Sequence, residues 1–349
     1  MAEQTSKSKR LSRILNSANG QTSTPVATIE NTEALPSAAP SEPNPPQEAP
    51  LPKEQSITDI YGEFWSLING ENPLSKHKEM SALVGKIVQK AMRPYDVAGK
   101  YNWIIIHDPL KMLRTDADKI YKTVSAFEQK RDVGLIITSG GGEIEPAYLI
   151  SKLCRESTTG KFIAVVPRRA KSAATLLCCG ADEIHMGQMS ELGPIDPQFD
   201  GLPALGLKNA VQHLAELANQ YPKASDMLAK YLAASLKLEN LGYYERIAES
   251  AVQYADRLLR KRTLPLKGNS LDVAKLLVYG YMDHSFVIDK TEAQNIFGTD
   301  MIKAGKEYEL GNSVYEWLSI ISSACEAAGY GFYMYGQPSA ECNFYKKGK

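Results

Sequence analysis

Leu135-Ile-Ile-Thr-Ser-Gly-Gly-Gly-Glu143 is the stretch of sequence that decides the fold. Its first half is an apolar run of strand length, and its glycines, Gly140–Gly142, open a predicted helix that ends near Glu156. Glycine at a strand-to-helix turn permits positive φ angles and lets backbone N–H groups approach a ligand closely. A plain tight turn is one alternative. A phosphate-binding loop is another, but neither a following Lys-Ser/Thr pair nor a G-x-G-x-x-G pattern supports it.

The same alternation of strand and helix continues on both sides of this stretch. Short, nearly continuous apolar runs separated by helical patterns are typical of a mainly parallel sheet that is covered on both faces. The predicted strands are Trp103–His107, Leu135–Ser139, Lys161–Val166 and Glu183–Met186, with helices over Ala117–Gln129 and after Ser172. The sequence therefore predicts an α/β fold.

Composition divides the rest of the chain. The first 56 residues hold eight of the nineteen prolines and no aromatic residue, so they cannot bury enough apolar area to order and are predicted to be a disordered tail. A helical lead-in is expected over residues 57–100. The main domain is expected over 101–300, with a helical section at 205–262, and a C-terminal helix (Ser313–Ala328) with an unassigned Tyr/Gly-rich tail over 301–349.

Charge, cysteine content and hydropathy exclude several classes of protein. Lys+Arg and Asp+Glu both total 40, so the basic excess expected of a nucleic-acid-binding protein is absent. The five cysteines are scattered through apolar segments, as buried thiols of a reducing compartment would be. The longest apolar stretches, such as Ala173–Ala181, are far shorter than the roughly 20 residues of a membrane span. We expect a cytoplasmic protein with no transmembrane segment.

A second motif follows about thirty residues after the glycines. It reads Pro167-Arg-Arg-Ala-Lys-Ser172-Ala-Ala-Thr-Leu-Leu-Cys-Cys-Gly180, and it places Ser172 at the start of a helix rich in small residues. A serine in this position is most often an ordinary N-cap. The same position also suits a nucleophile, because free N–H groups there stabilise developing negative charge and Ala173 leaves room for a substrate.

These motifs together resemble those of a known protein family. The Gly140–Gly142 turn, Ala170-Lys-Ser-Ala-Ala-Thr175, Gly180-Ala-Asp-Glu-Ile-His-Met-Gly187 and Ser190-Glu-Leu-Gly-Pro-Ile-Asp-Pro-Gln198 are similar to motifs of the serine dehydrogenase proteinase family. That family belongs with the Clp proteases, signal peptide peptidase A and the crotonases. The resemblance covers about 200 residues, from Asn102 to Gly298, and is most specific in the last two motifs.

The resemblance implies a fold, an activity and an assembly. The fold would be the Clp/crotonase spiral of ββα units. Ser172 would be the nucleophile, and the backbone N–H groups of Gly142 and Ala173 would form the oxyanion hole. Peptide or protein substrates are implied, and so is a homo-oligomer, as a trimer, hexamer or larger ring.

The sequence departs from the Clp pattern in the residues that would activate Ser172. Asp196 lies near the position of the Clp histidine and His284 near that of the Clp aspartate, so the two residue types are exchanged. A rearranged Ser172–His284–Asp196 constellation is one hypothesis, and structural roles for both residues are the alternative. A Ser–Lys dyad of the signal peptide peptidase kind is another, and it would need a desolvated lysine. The other candidate bases are Lys208, Lys223, Lys230 and His213.

The sequence thus predicts a serine endopeptidase-like hydrolase that acts through an acyl-enzyme on Ser172. Two alternatives remain: a crotonase-type acyl-CoA enzyme, and a non-catalytic assembly or adaptor protein on the same fold. No dinucleotide fingerprint is present and no metal-ligand spacing is evident, so we expect neither a cofactor nor a metal.

Overall fold

The computed structural model describes residues 54–199, 202–235, 238–262 and 266–348. The predicted disordered tail, residues 1–56, lies almost wholly outside the described residues, so its prediction is not addressed by the structure.

Parallel strands form the centre of a mixed sheet. Strands β1, β2, β3, β5 and β9 run parallel in that order, and β10 and β11 extend the β1 edge with antiparallel pairing. The short β4 pairs with the end of β2, and β6 pairs with β4. The strands are β1 Tyr101–Asp108, β2 Asp132–Ser139, β3 Phe162–Val166, β4 Arg169–Ala170, β5 Glu183–Met186, β6 Glu191–Leu192, β7 Gln198–Phe199, β8 Leu202–Pro203, β9 Ile302–Lys303, β10 Tyr330–Gly336 and β11 Asn343–Lys346.

Helices cover the sheet and extend beyond it. In the described part of the chain, none of them is long and apolar enough to cross a bilayer. The helices are α1 Ile57–Ile68, α2 His77–Met92, α3 Arg114–Ser125, α4 Ile144–Glu156, α5 Ala173–Cys178, α6 Ala204–Gln220, α7 Ser225–Ser235, α8 Leu238–Arg260, α9 Ser270–Tyr279, α10 Lys290–Phe297 and α11 Lys306–Ala327.

Both faces of the central strands are buried. Ile104 and Ile106 lie in the main hydrophobic core with residues of α4, α5, α8 and α9, whereas the alternate residue Ile105 faces away from that cluster and is also fully buried. Strands covered on both faces are expected to be continuously apolar. This burial explains why the strands were recognisable as short apolar runs.

The predicted fold class, α/β with a mainly parallel sheet and a helical extension after the core, is confirmed. Some boundaries differ. Helix α11 begins at Lys306 rather than Ser313. Ile288 forms an isolated β-bridge with Leu192. The unassigned tail supplies β10 and β11, which are antiparallel strands at the sheet edge.

Candidate active site

The backbone of Ser172 has an unusual conformation. Its φ and ψ angles are 52° and −120°, and among the described residues it is the single non-glycine residue with positive φ. Such a conformation costs free energy in a residue with a side chain and persists where the surrounding structure enforces it. Ser172 precedes α5, yet its hydroxyl makes no capping hydrogen bond to that helix. The geometry therefore differs from that of an ordinary N-cap and matches a strained strand-to-helix turn that presents a serine side chain.

The glycine turn lies directly against Ser172. Ser139 at the end of β2 is paired with Ala170, and the Lys171 N–H donates to the Ser139 carbonyl over 3.1 Å. Gly141 has a φ of 107°, and a Cβ on it would lie 2.8 Å from the Lys171 carbonyl oxygen and 2.9 Å from Ser172 Cβ. Glycine at this position is therefore required both by the backbone angle and by the close approach to Ser172.

Met112 fixes the next residue of the turn, Gly142. The Met112 N–H donates to the Gly141 carbonyl, and the Glu143 N–H donates to the Met112 carbonyl, each over 2.9 Å. This parallel bridge leaves the Gly142 N–H unused. Within the described ranges, neither the Gly142 nor the Ala173 N–H donates a hydrogen bond. Two backbone donors thus flank the turn at Ser172 without a protein acceptor. Sequence reasoning missed Met112, because only its backbone takes part and no residue type marks that role.

Asp196 and His284 come together from distant parts of the chain. An antiparallel bridge between Leu192 and Ile288, and a 2.8 Å hydrogen bond from the Ile195 N–H to the Leu277 carbonyl, hold their two segments side by side. His284 Nδ1 lies 3.9 Å from Asp196 Oδ2. Both His284 Nδ1 and Asp196 Oδ1 are buried without a hydrogen bond to a described residue. Hydrogen bonds between catalytic groups are often long before substrate binds. The 3.9 Å separation is therefore compatible with a hydrogen bond that shortens when substrate binds.

Burial shifts the pKa values of Asp196 and His284 in opposite directions. It raises the pKa of Asp196 to about 6, and it lowers the pKa of His284. The backbone of Asp196 and the charge of Asp283 oppose the shift of His284, whereas the charge of Lys171 adds to it. At pH 7 to 8 the imidazole is therefore neutral and Asp196 is mostly ionised, which are the states that a histidine base and its carboxylate partner require.

The alternative bases lie in different surroundings. Lys223 is exposed, and the side chains of Lys230 and His213 are 77% and 70% exposed, with Lys230 paired to Asp226. A catalytic lysine needs desolvation to lose its proton near neutral pH, and a solvated helix surface does not supply it. The Lys208 side chain lies outside the described part of the structure. Among the candidate bases that are described, His284 is the one that is partly buried and lies beside a carboxylate.

A cavity of about 640 Å³ opens near the carboxyl ends of β1 and β2, but Ser172, Asp196 and His284 are not among the residues that line it. Arg168 and Arg169 line it from the segment just before Ser172, and Glu191 lines it from β6. In the described ranges, no group of three or more metal-ligating side chains is present.

Comparison with known proteins finds a family match for part of the chain. Residues 102–226 match the model of the ClpP-like SDH-type serine proteinases. The resemblance inferred from the motifs is thereby confirmed for this stretch, which contains the glycine turn, Ser172 and Asp196 but ends before His284. A ClpP-like fold is also consistent with the mostly parallel sheet. The match supports a peptidase-like role at the level of the family.

The chain also resembles two uncharacterized proteins of the archaeon Methanocaldococcus jannaschii. It is 26% identical to one over 181 residues, which are 52% of this chain and 57% of the relative. It is 28% identical to the other over 101 residues, which are 29% of this chain and 34% of the relative. The chain therefore spans about half or less of the length of these relatives. No solved structure shows significant similarity to it.

Proposed function

We propose that this protein is a serine peptidase that cleaves peptide bonds through an acyl-enzyme on Ser172. The observation that carries the proposal is the strained backbone of Ser172, held against a glycine turn and beside two unused backbone donors. Backbone strain at a single residue such as this serine is typical of functional sites. An ordinary helix cap would need neither the strain nor the turn.

In the proposed reaction, the neutral imidazole of His284 takes the proton of the Ser172 hydroxyl as Oγ attacks the substrate carbonyl carbon. The carbonyl oxygen becomes negative, and the N–H groups of Gly142 and Ala173 stabilise it; removing one such donor typically costs about a hundred- to a thousandfold in rate. The imidazolium then protonates the leaving amine as the C–N bond breaks. Water then attacks the ester carbon as His284 takes one of its protons. The imidazolium returns that proton to Ser172 Oγ as the acyl C–O bond breaks, and the carboxylic acid product leaves. Ionised Asp196 orients the imidazole and stabilises its charged form.

The cysteines do not compete with Ser172 as nucleophiles. All five are buried free thiols, and burial raises the pKa of each of them, to about 12 for Cys154, Cys179, Cys325 and Cys342. A thiol reacts through its thiolate, which these surroundings disfavour. Labelling of the folded protein by a serine-directed probe is therefore expected to report on a hydroxyl group.

The direct test is covalent labelling with a fluorophosphonate, followed by peptide mapping, together with the cleavage of unfolded casein. We expect wild type to label at Ser172 and to cleave casein, and Ser172→Ala to lose both activities by at least about a thousandfold. Ser157→Ala is the matched control, because the Ser157 hydroxyl donates to the Cys154 carbonyl at the end of α4 and lies outside the proposed site.

Each part of the proposal can be rejected separately. If His284→Ala and Asp196→Ala both keep full turnover, the rearranged triad is wrong even when Ser172 labels. If wild type neither labels nor cleaves casein, the non-catalytic assembly or adaptor protein becomes the better reading. An acyl-CoA thioester that is turned over equally by wild type and Ser172→Ala would instead point to the crotonase-type enzyme.

The substrate and the assembly are inferred from the family resemblance. We infer peptide or protein substrates, a homo-oligomer of trimer, hexamer or ring type, and a cytoplasmic location. Mass photometry of the purified chain would give the oligomer size.

A further inference from the structure

Lys171 has a fixed backbone and an enclosed side chain. Its N–H donates to the Ser139 carbonyl over 3.1 Å, and its carbonyl accepts from the Ala174 N–H over 2.9 Å. The side chain is 15% exposed. A Cβ on Gly193 would lie 2.5 Å from Lys171 Cδ, so the lysine stem passes directly over this glycine. The path of the stem is thus defined by the residues immediately beside Ser172 and by Gly193.

The ammonium group of Lys171 reaches the segment that carries His284. Its Nζ donates to the Phe286 carbonyl over 3.0 Å and to the Ser285 carbonyl over 3.5 Å, and it pairs with Glu191 Oε2 at 3.1 Å. These three acceptors match the three donors of an ammonium ion. The ammonium group of Lys171 is thus fully occupied by these contacts, which is unlike a lysine that acts as a base.

The segment from Met282 to Val287 has little apolar burial of its own. Met282 is 91% exposed, Phe286 45% and Val287 52%. Its downstream end is fixed by the bridge between Ile288 and Leu192. Segments with few buried apolar contacts open at low free-energy cost, so polar contacts largely decide their position. The hydrogen bonds from Lys171 join this segment at the carbonyls of Ser285 and Phe286, the two residues that follow His284.

We propose that Lys171 is a positioning residue that ties the His284 segment to the strand-to-helix turn bearing Ser172, with Glu191 holding its ammonium group. This inference rests on the proposed function, because positioning matters only if His284 serves Ser172. It assigns Lys171 a task other than proton transfer, although this residue directly precedes the nucleophile.

The charge of Lys171 gives the proposal a signature in the pH dependence. The charged groups that act on His284 are Asp196, Asp283 and Lys171, and Glu191 lies behind Lys171 as its partner. Because the positive charge lowers the pKa of His284, removing it raises that pKa. A histidine base works when neutral, so the acid limb of the activity profile moves to higher pH.

The test compares Lys171→Met, Lys171→Arg and Glu191→Gln with wild type. For Lys171→Met we expect kcat and the rate of fluorophosphonate labelling to fall at least about tenfold, with KM within about twofold, since a misplaced base affects the chemical step. We also expect the acid limb of the pH–activity profile to move by about half a unit toward higher pH. Lys171→Arg keeps the charge and several donors, so its acid limb should match that of wild type. Glu191→Gln removes the ion-pair partner but keeps a hydrogen-bond acceptor, so the labelling rate should fall, though by less than in Lys171→Met.

Hydrogen exchange measures the tether independently of catalysis. Backbone amides of residues 283–287 should exchange at least about tenfold faster in Lys171→Met, whereas those of Tyr101–Asp108 should not change. Lys306→Met is the matched control, because Lys306 forms an exposed ion pair with Asp96; it should alter neither the exchange nor the activity.

The outcomes separate the two proposals. If wild type labels at Ser172 and Lys171→Met keeps its rate and its acid limb, the positioning role is overturned while the peptidase proposal stands. If wild type does not label, the peptidase proposal fails, and unchanged exchange in Lys171→Met would then overturn the tether as well. Should Lys171→Met fail to fold, Lys171→Arg and Glu191→Gln decide: a displaced acid limb in Lys171→Arg, or a wild-type labelling rate in Glu191→Gln, contradicts the proposal.

Discussion

The buried carboxyl group of Asp196 lowers the free energy of unfolding when it is ionised. Burial raises its pKa from 3.8 to about 6, so the folded chain binds this proton more tightly than the unfolded chain does. Through this group, the free energy of unfolding falls as pH rises from about 4 to about 6, and the full penalty is present above that range. A shift of two pKa units corresponds to roughly 3 kcal/mol at most.

Asp196→Asn is therefore expected to stabilise the fold while it impairs the site. We expect the free energy of unfolding at pH 8 to increase by about 1 to 3 kcal/mol, and the gain to shrink to less than about 1 kcal/mol at pH 4, where the carboxyl is protonated in the folded chain and about half ionised in the unfolded chain. Urea denaturation of both proteins at the two pH values measures this difference in the free energy of unfolding. Asp226→Asn, at an exposed carboxylate, should give no such pH-dependent gain. Equal stability of Asp196→Asn and wild type at pH 8 would show that the carboxylate is well compensated in the fold. Labelling of Ser172 should fall at least about a hundredfold if Asp196 orients His284.

Single residues also mark the limit of prediction from sequence. Ser172 alone favoured an N-cap, because small polar residues at helix starts usually serve that purpose. Its positive φ occurs where Gly141, a residue 31 positions earlier, packs closely against it in the folded chain. Lys171 contacts the carbonyls of Ser285 and Phe286, which lie more than a hundred positions further along the chain. No local pattern carries either fact.

The glycine turn allows a test at the scale of one structural element. A Cβ on Gly142, where φ is 153°, would lie 2.3 Å from the Met112 nitrogen, whereas a Cβ on Gly140 meets nothing within 4 Å. Gly142→Ala should therefore break the bridge to Met112, lower the free energy of unfolding by about 1 to 3 kcal/mol and reduce Ser172 labelling at least about a hundredfold. Gly140→Ala, two residues away, should change the free energy of unfolding and the labelling rate only slightly. Thermal melts and labelling rates measure the two effects, and a Gly142→Ala protein that labels at the wild-type rate would remove Gly142 from the oxyanion hole.

Elements were predictable where local pattern and tertiary environment agree. The runs at Trp103–His107 and Leu135–Ser139 are apolar because both faces of β1 and β2 are buried, and this pattern is visible in the sequence. Tyr330–Gly336 has aromatic residues and glycines with no clear period, and it becomes a strand by pairing with β1, which lies more than two hundred residues earlier. Short segments whose structure depends on a distant partner are the ones that sequence patterns miss.

On the scale of the whole molecule, the C-terminal hairpin connects the fold to the site. Strand β10 covers the edge of β1, and the Tyr335 hydroxyl donates to Asp108 Oδ2 over 2.6 Å at the end of that strand. Four residues later, Met112 holds Gly142 beside Ser172. The Cys342 N–H also donates to Ser81 Oγ in α2 over 3.1 Å. The geometry of the turn thus depends on residues at the far end of the chain.

A chain that ends after Gly329 should therefore fail to fold. It would lose the buried side chains of Phe332, Met334 and Phe344, each contributing about 1.5 to 3 kcal/mol, and this sum is comparable to the whole stability of a typical domain. It would also leave the β1 edge unpaired and open to aggregation. A chain that ends after Lys347 keeps both strands and should match the full-length protein in soluble yield and melting temperature. If the shorter chain instead melts cooperatively and labels at Ser172 at the wild-type rate, the hairpin is dispensable, and the position of Met112 must be set by β1 and α3 alone.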